Sequence, residues 1–258
     1  MADVFRALLR KEWHEQRWRF FLGLIVFSGL VAGMLRAQLV PSNEAAVLLY
    51  GPVGLVFVIF LAAGPVAAER ADRTWEFLMA QPVSRAEVLR AKWTMGVMQL
   101  AVTMLVGAVA GLLAIWSRGF RIMPKVPGSS TEFSAESAAW LVTHPALSLC
   151  AFAAVGTIAL VCWFTSLFLL LARARNEFAA ALGGVLLTIA LLLWLPQLGS
   201  GNKALLVVAA LNPLSPLFLL SSWRAVFLPA LLLIHIVLWV VLPLRYVGRR
   251  RIEKWIGA

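Results

Sequence analysis

Apolar and polar positions alternate along this chain in long blocks: hydrophobic runs of about twenty residues are separated by short charged stretches. A helix rises about 1.5 Å per residue, so roughly 20 apolar residues cross a hydrocarbon core of about 30 Å. Six runs meet that length, at residues 20–40, 47–68, 93–116, 145–172, 178–195 and 225–246. The pattern predicts an all-α, polytopic membrane protein with six transmembrane helices. Residues 1–19, polar and mixed with Asp3, Glu12 and Glu15, differ from a short cationic leader and predict that the first span is retained as an anchor. Arg36 must snorkel outward if the first span continues past it. Gly64-Pro65 predicts a kink at the inner end of the second span, because proline removes a backbone donor.

Two stretches depart from the simple alternation. Residues 204–220 are apolar, but Asn212-Pro213 and Ser215-Pro216 interrupt them. We read residues 197–224 as an outer re-entrant or interfacial segment, whose broken backbone neighbouring helices must protect. The second stretch, residues 69–92, reads ERADRTWEFLMAQPVSRAEVLRAK and is strongly charged between two spans. Trp75, Leu78 and Met79 follow an i, i+3, i+4 pattern on one helical face. Glu69 and Arg73 form an i, i+4 pair in the favourable order. Gln81-Pro82 ends this short helix. Ser84-Arg85-Ala86-Glu87 then has the form of a capping box, with Val83 and Val88 spaced for the hydrophobic staple. The stretch therefore predicts helix, tight turn and helix, the second running into the third span. On spacing alone, this amphipathic helix either lies in the headgroups or docks a partner.

Composition agrees with the block pattern. The chain is 62% hydrophobic, with mean hydropathy +0.88 and 14% charged residues. A water-soluble domain of 258 residues could not hide that much apolar surface. The net charge of +11 sits beside the apolar runs, where it serves topology and anionic lipid and not nucleic acid. Seventeen of the 23 Lys and Arg fall in the first 19 residues, in 69–92, at Arg173 and Arg175, and from Arg245 onward. This bias predicts that both termini and the 69–92 loop are cytoplasmic. Trp18, Trp93, Trp116, Trp140, Trp194 and Trp223 fall near proposed span ends, where the amphipathic ring prefers the headgroup level. Cys150 and Cys162 share one run, about 18 Å apart on a helix, and cannot bond to each other.

The 69–92 stretch resembles the first cytoplasmic loop of ABC-2 class permeases of ATP-binding-cassette exporters. There the pattern E-R-x-x-G-T-x-E-x-L-L-x-x-P-[VI]-S-R-x-x-[IV]-x-x-x-K forms the coupling helix. Glu69, Arg70, Thr74, Glu76, Leu78, Pro82, Val83, Ser84, Arg85, Val88 and Lys92 match it, and Arg73 stands where the pattern has glycine. Leu8-Leu9-Arg10-Lys11-Glu12-Trp13 is similar to the family's interfacial helix before the first span. The resemblance implies one transmembrane domain over residues 1–258, paired with a second permease chain, identical or paralogous, and with two ATPase subunits. Those subunits would bind the ATP and magnesium and dock on Arg73, Thr74, Trp75, Glu76, Phe77, Leu78 and Met79. Glu69, Arg70, Pro82, Ser84, Arg85 and Glu87 would shape the loop, and Arg173 and Arg175 would make a secondary contact. The chain has no G-x-x-x-x-G-K-[ST] phosphate loop of its own, so the ATP chemistry is expected from the partner.

Other candidates are weaker. His235 lies inside the last run, where it serves either an interhelical hydrogen bond, which we favour, or a substrate contact. Gly29-x-x-x-Gly33 and Gly107-x-x-x-Gly111 permit close helix approach, which we expect within the chain. No H-E-x-x-H, paired intramembrane carboxylates or G-x-S-x-G is present, so we expect neither a metal nor a catalytic site. The leading expectation is the permease subunit of an ATP-driven exporter of a hydrophobic or amphipathic substrate. Its rivals are an integral-membrane lipid-modifying enzyme and a non-transporting scaffold or sensor bound to an ATPase.

Overall fold

The computed structural model describes residues 2–37, 49–71, 84–118, 144–171, 177–194, 211–213, 215–216 and 228–248. Every regular element among them is helical. Helix α1 spans Ala2–Ala37. A π-helical turn at Leu49–Val53 leads into α2, Gly54–Ala71. Helices α3 (Arg85–Arg118), α4 (Pro145–Leu171) and α5 (Glu177–Trp194) follow. The last apolar run forms α6 (Leu228–Ile236), a π-helical turn (Val237–Val241) and α7 (Leu242–Gly248).

Side-chain contacts fix the directions. Phe27 and Val31 of α1 lie against Gly107, and Val31 and Leu35 against Gly111, so α1 and α3 run parallel. Phe57 packs on Gly23 while Tyr50 meets Phe27, which makes α2 antiparallel to α1. Gly96 receives the Phe164 ring and Gly111 meets Leu149, so α4 opposes α3. Trp163 to Thr188 and Leu171 to Gly184 make α5 oppose α4. The core of this bundle is aromatic and aliphatic, from Phe27 and Tyr50 to Phe152, Phe164 and Phe168.

Large apolar side chains also cover the outside. Ile25, Val56, Leu105 and Leu113 are all about two-thirds exposed, and Trp116 almost wholly so. A water-soluble surface rarely carries so much contiguous apolar area. Here lipid is the solvent, and the chain is an integral membrane protein. Among the described residues, three helices are long and apolar enough to cross a membrane: Val4–Ala37, Ala86–Ser117 and Ala146–Leu171. The other apolar helices, Leu49–Ala62, Phe178–Ala190 and Pro229–Arg245, are shorter.

Several expectations change in detail. The segment 1–19 is not a separate helix: α1 runs unbroken through it into the first apolar run. At about 1.5 Å per residue its 36 residues extend about 54 Å, well beyond a hydrocarbon core. Helix α2 continues through Gly64-Pro65 to Ala71. A π-helical turn contains Pro52, before α2 begins. The second π turn precedes Pro243. Proline cannot donate to the Trp239 carbonyl and would clash with it in a regular helix. Widening the turn, with the Leu242 N–H bonded to the Val237 carbonyl, accommodates the ring.

The two glycine pairs part company. Gly107 and Gly111 are buried against α1, as expected for packing within the chain. Among the described residues, Gly29 and Gly33 have no atom within 4 Å of the place a side chain would occupy, so they pack against none of the described helices. Gly107→Leu would drive a side chain into the Phe27 ring and should cost about 1–3 kcal/mol, as overpacking does. Thermal unfolding in detergent should therefore show a lowered midpoint for Gly107→Leu and an unchanged one for Gly29→Leu.

Candidate functional site

The chemistry of the bundle gathers at the end where α1 and α3 begin. Both helices are longer than an apolar core requires, so their first turns stand side by side beyond it. Between them lies an ion pair: Lys92 Nζ donates to Glu12 Oε1 at 2.6 Å. Lys92 is fully buried and Glu12 is 2% exposed. The second carboxylate oxygen accepts from Gln16 Nε2 at 3.0 Å, one turn along α1. Lys11 lies 3.7 Å from Glu12 Oε1 and pairs more closely with Glu15, at 3.1 Å. Burying two charges costs several kcal/mol per ion unless each finds its partner. The pair therefore fixes the register of α1 against α3 at this one position. Further along α1, Trp13, Phe20 and Phe21 cluster on one another, with ring centroids 5.4 to 5.9 Å apart.

Two turns before Lys92, the capping box forms as the spacing predicts. Ser84 N–H and Ser84 Oγ donate to Glu87 Oε2 at 3.1 and 2.8 Å, and Glu87 N–H donates back to Ser84 Oγ at 3.2 Å. The Ser84 carbonyl accepts from the N–H groups of Glu87 and Val88. These contacts satisfy orphan donors of the first turn and set the direction in which the loop enters α3. The Ser84 hydroxyl, and then its backbone N–H, hold the Glu87 carboxyl below the usual carboxylate range.

The remaining loop residues are placed unevenly. Glu69 and Arg70 lie in the last turn of α2, and Arg85 opens α3. Arg73, Thr74, Trp75, Glu76, Phe77, Leu78, Met79, Pro82 and the staple residue Val83 lie outside the described residues, as do Arg173 and Arg175. What the spacing did not reveal was the partnership of Glu12 with Lys92. Each belongs to one of the two stretches that carry the family resemblance, which is the signal that could have joined them.

Trp93, read as a headgroup anchor, is also a packing residue: its Nε1 donates to Thr165 Oγ1 at 3.0 Å. The Thr165 hydroxyl donates to the Val161 carbonyl of its own helix, leaving a lone pair for the indole. Trp163 and Thr188 repeat this device between α4 and α5.

His235 serves packing, as favoured. It is fully buried, with Nδ1 2.7 Å from the Leu231 carbonyl oxygen. Its Nε2 lies 2.9 Å from the Asn212 carbonyl oxygen and 3.3 Å from Ser215 Oγ. One helical turn further, Trp239 Nε1 donates to the Leu211 carbonyl at 3.1 Å. The prolines explain why these carbonyls are open. Pro216 has no N–H to give Asn212, and the Ser215 N–H turns to Asn212 in place of Leu211. The broken segment is thus sealed by two side chains of the last span, which satisfies backbone groups that lipid cannot.

A family model described as ABC-2 family transporter protein matches residues 30–244, which includes the 69–92 loop and Lys92. The chain belongs to this family and is a permease component of an ABC transporter. Family membership implies association with an ABC ATPase partner. No curated protein matches the chain.

Removing one member of the ion pair takes from the other its nearest counter-charge in a buried site, which costs about 3–5 kcal/mol. Glu12→Gln and Lys92→Met should each lower the thermal midpoint markedly. The combined variant should recover part of that loss, and a double-mutant cycle in detergent would measure the coupling.

Proposed function

We propose that this chain is the membrane-spanning subunit of an ATP-driven exporter, in which the 69–92 loop receives the force of ATP-driven closure from separate ATPase subunits. The observation that carries the reading is the construction of the loop's exit. The capping box fixes how the chain enters α3, and Glu12–Lys92 ties the first turns of α3 to α1. A displacement delivered to the loop would then reach two parallel helices as one body, and a rigid pair transmits what a frayed helix end would absorb.

In this account Arg73, Thr74, Trp75, Glu76, Phe77, Leu78 and Met79 form the docking helix. Arg173 and Arg175 add a second contact, and the partner ATPases bind ATP and magnesium. Two permease chains, identical or paralogous, enclose the pathway in the cell membrane with their termini cytoplasmic. ATP binding biases inward-open and outward-open arrangements. The cargo moves outward and is hydrophobic or amphipathic, in keeping with the apolar spans.

The variant Trp75→Ala with Glu76→Lys removes an aromatic anchor and reverses a charge on the docking face. It should abolish co-purification of the ATPase and ATP-dependent transport in reconstituted vesicles, while the permease itself remains folded. Intact assembly and transport would remove the docking assignment.

A further inference from the structure

The end of the bundle that holds the ion pair also contains a groove beside the capped start of α3. Its volume is about 680 Å³, and it lies between the starts of α1 and α3 and the last helix. Phe5, Trp93, Val241 and Leu244 form its apolar wall, and Arg90 and Arg245 its cationic side. Glu87 also borders it as a carboxylate that Ser84 holds ionised, so the two guanidiniums leave the groove one net positive charge. Both arginines are exposed, whereas the apolar wall residues are half-buried.

The size is that of a small-molecule site, for which about 300–1,000 Å³ is ordinary. Its composition is divided along the bundle axis. Trp93 begins the apolar part of α3, and its Nε1 is committed to Thr165, so the ring is held in one orientation. Arg90 lies one turn toward the polar end. The π-helical turn at Val237–Val241 ends at the groove and leads into the turn that carries Leu244 and Arg245. Such turns are frequent at functional sites. Guanidinium groups bind phosphate through paired N–H donors, and basic pockets between membrane helices hold anionic headgroups.

We propose that this groove binds one anionic glycerophospholipid, its phosphate between Arg90 and Arg245 and an acyl chain along Phe5, Val241 and Leu244. The site stands on the groove alone and does not depend on docking of an ATPase.

The test titrates the full-length chain in detergent with phosphatidylglycerol, phosphatidylcholine or glycerol 3-phosphate, and reads bound lipid by native mass spectrometry. One phosphatidylglycerol should bind at least about tenfold more tightly than phosphatidylcholine, the scale of a charge-assisted contact. Arg90→Gln with Arg245→Gln should erase that preference, whereas Arg90→Lys with Arg245→Lys should keep most of it. Leu244→Ser should weaken both lipids and leave their ratio unchanged. Arg36→Gln, at the far end of α1, should change nothing. The proposal is overturned if the double Gln variant keeps its preference while its unfolding midpoint is unchanged, or if Arg36→Gln loses as much. It is equally overturned if glycerol 3-phosphate displaces the lipid at equal concentration, since the site would then take soluble phosphate.

Discussion

The buried ion pair between Glu12 and Lys92 is the constraint around which this end of the molecule is organised. Elsewhere the helices are held mainly by apolar side chains, whose contacts tolerate sliding by small amounts. An ammonium and a carboxylate in contact at 2.6 Å do not. Two charges withdrawn from water have one low-energy arrangement, and every alternative register strands both. Whether such a pair adds net stability matters less than the register it imposes, since apolar residues of similar volume often pack as well. The pair makes the first turns of α1 and α3 a single body, at the place where a loop between spans meets the bundle.

That arrangement suits a permease whose energy source is another chain. Force applied to a loop is useful only if the loop's exit is stiff. The Ser84–Glu87 box supplies stiffness at the first turn of α3, and Lys92 supplies it two turns later. On the last described helices, His235 and Trp239 reach the Asn212 and Leu211 carbonyls. The last helix then returns to the end where α1 begins, and Arg245 faces the same groove as Phe5.

Local features were legible in the sequence, because their causes are local. The apolar runs follow from length and composition. The capping box follows from a serine and a glutamate three residues apart. The burial of His235 in a hydrogen-bonded site follows from the cost of a lone polar ring among apolar neighbours. Relations across the chain were not legible. Glu12 and Lys92 are 80 residues apart, and no periodicity joins them. Gly29-x-x-x-Gly33 and Gly107-x-x-x-Gly111 have identical spacing, yet one pair is open and the other packed, since only the tertiary arrangement decides which face meets a neighbour. The π turns beside Pro52 and Pro243 were not read from the sequence, because a proline alone does not say how the backbone will absorb it.

The central claim is that α1 and the start of α3 move together when the ATPases close. The most direct measurement is the distance between nitroxide labels on His14→Cys and Met98→Cys, two exposed positions on these helices, with Cys150 and Cys162 replaced by alanine. It would be read by pulsed electron paramagnetic resonance in the assembled transporter, without nucleotide and with ATP trapped. The account predicts one narrow distance distribution, unchanged by ATP, that broadens when Lys92→Met is added. A wild-type distance that shifts on ATP binding would contradict it.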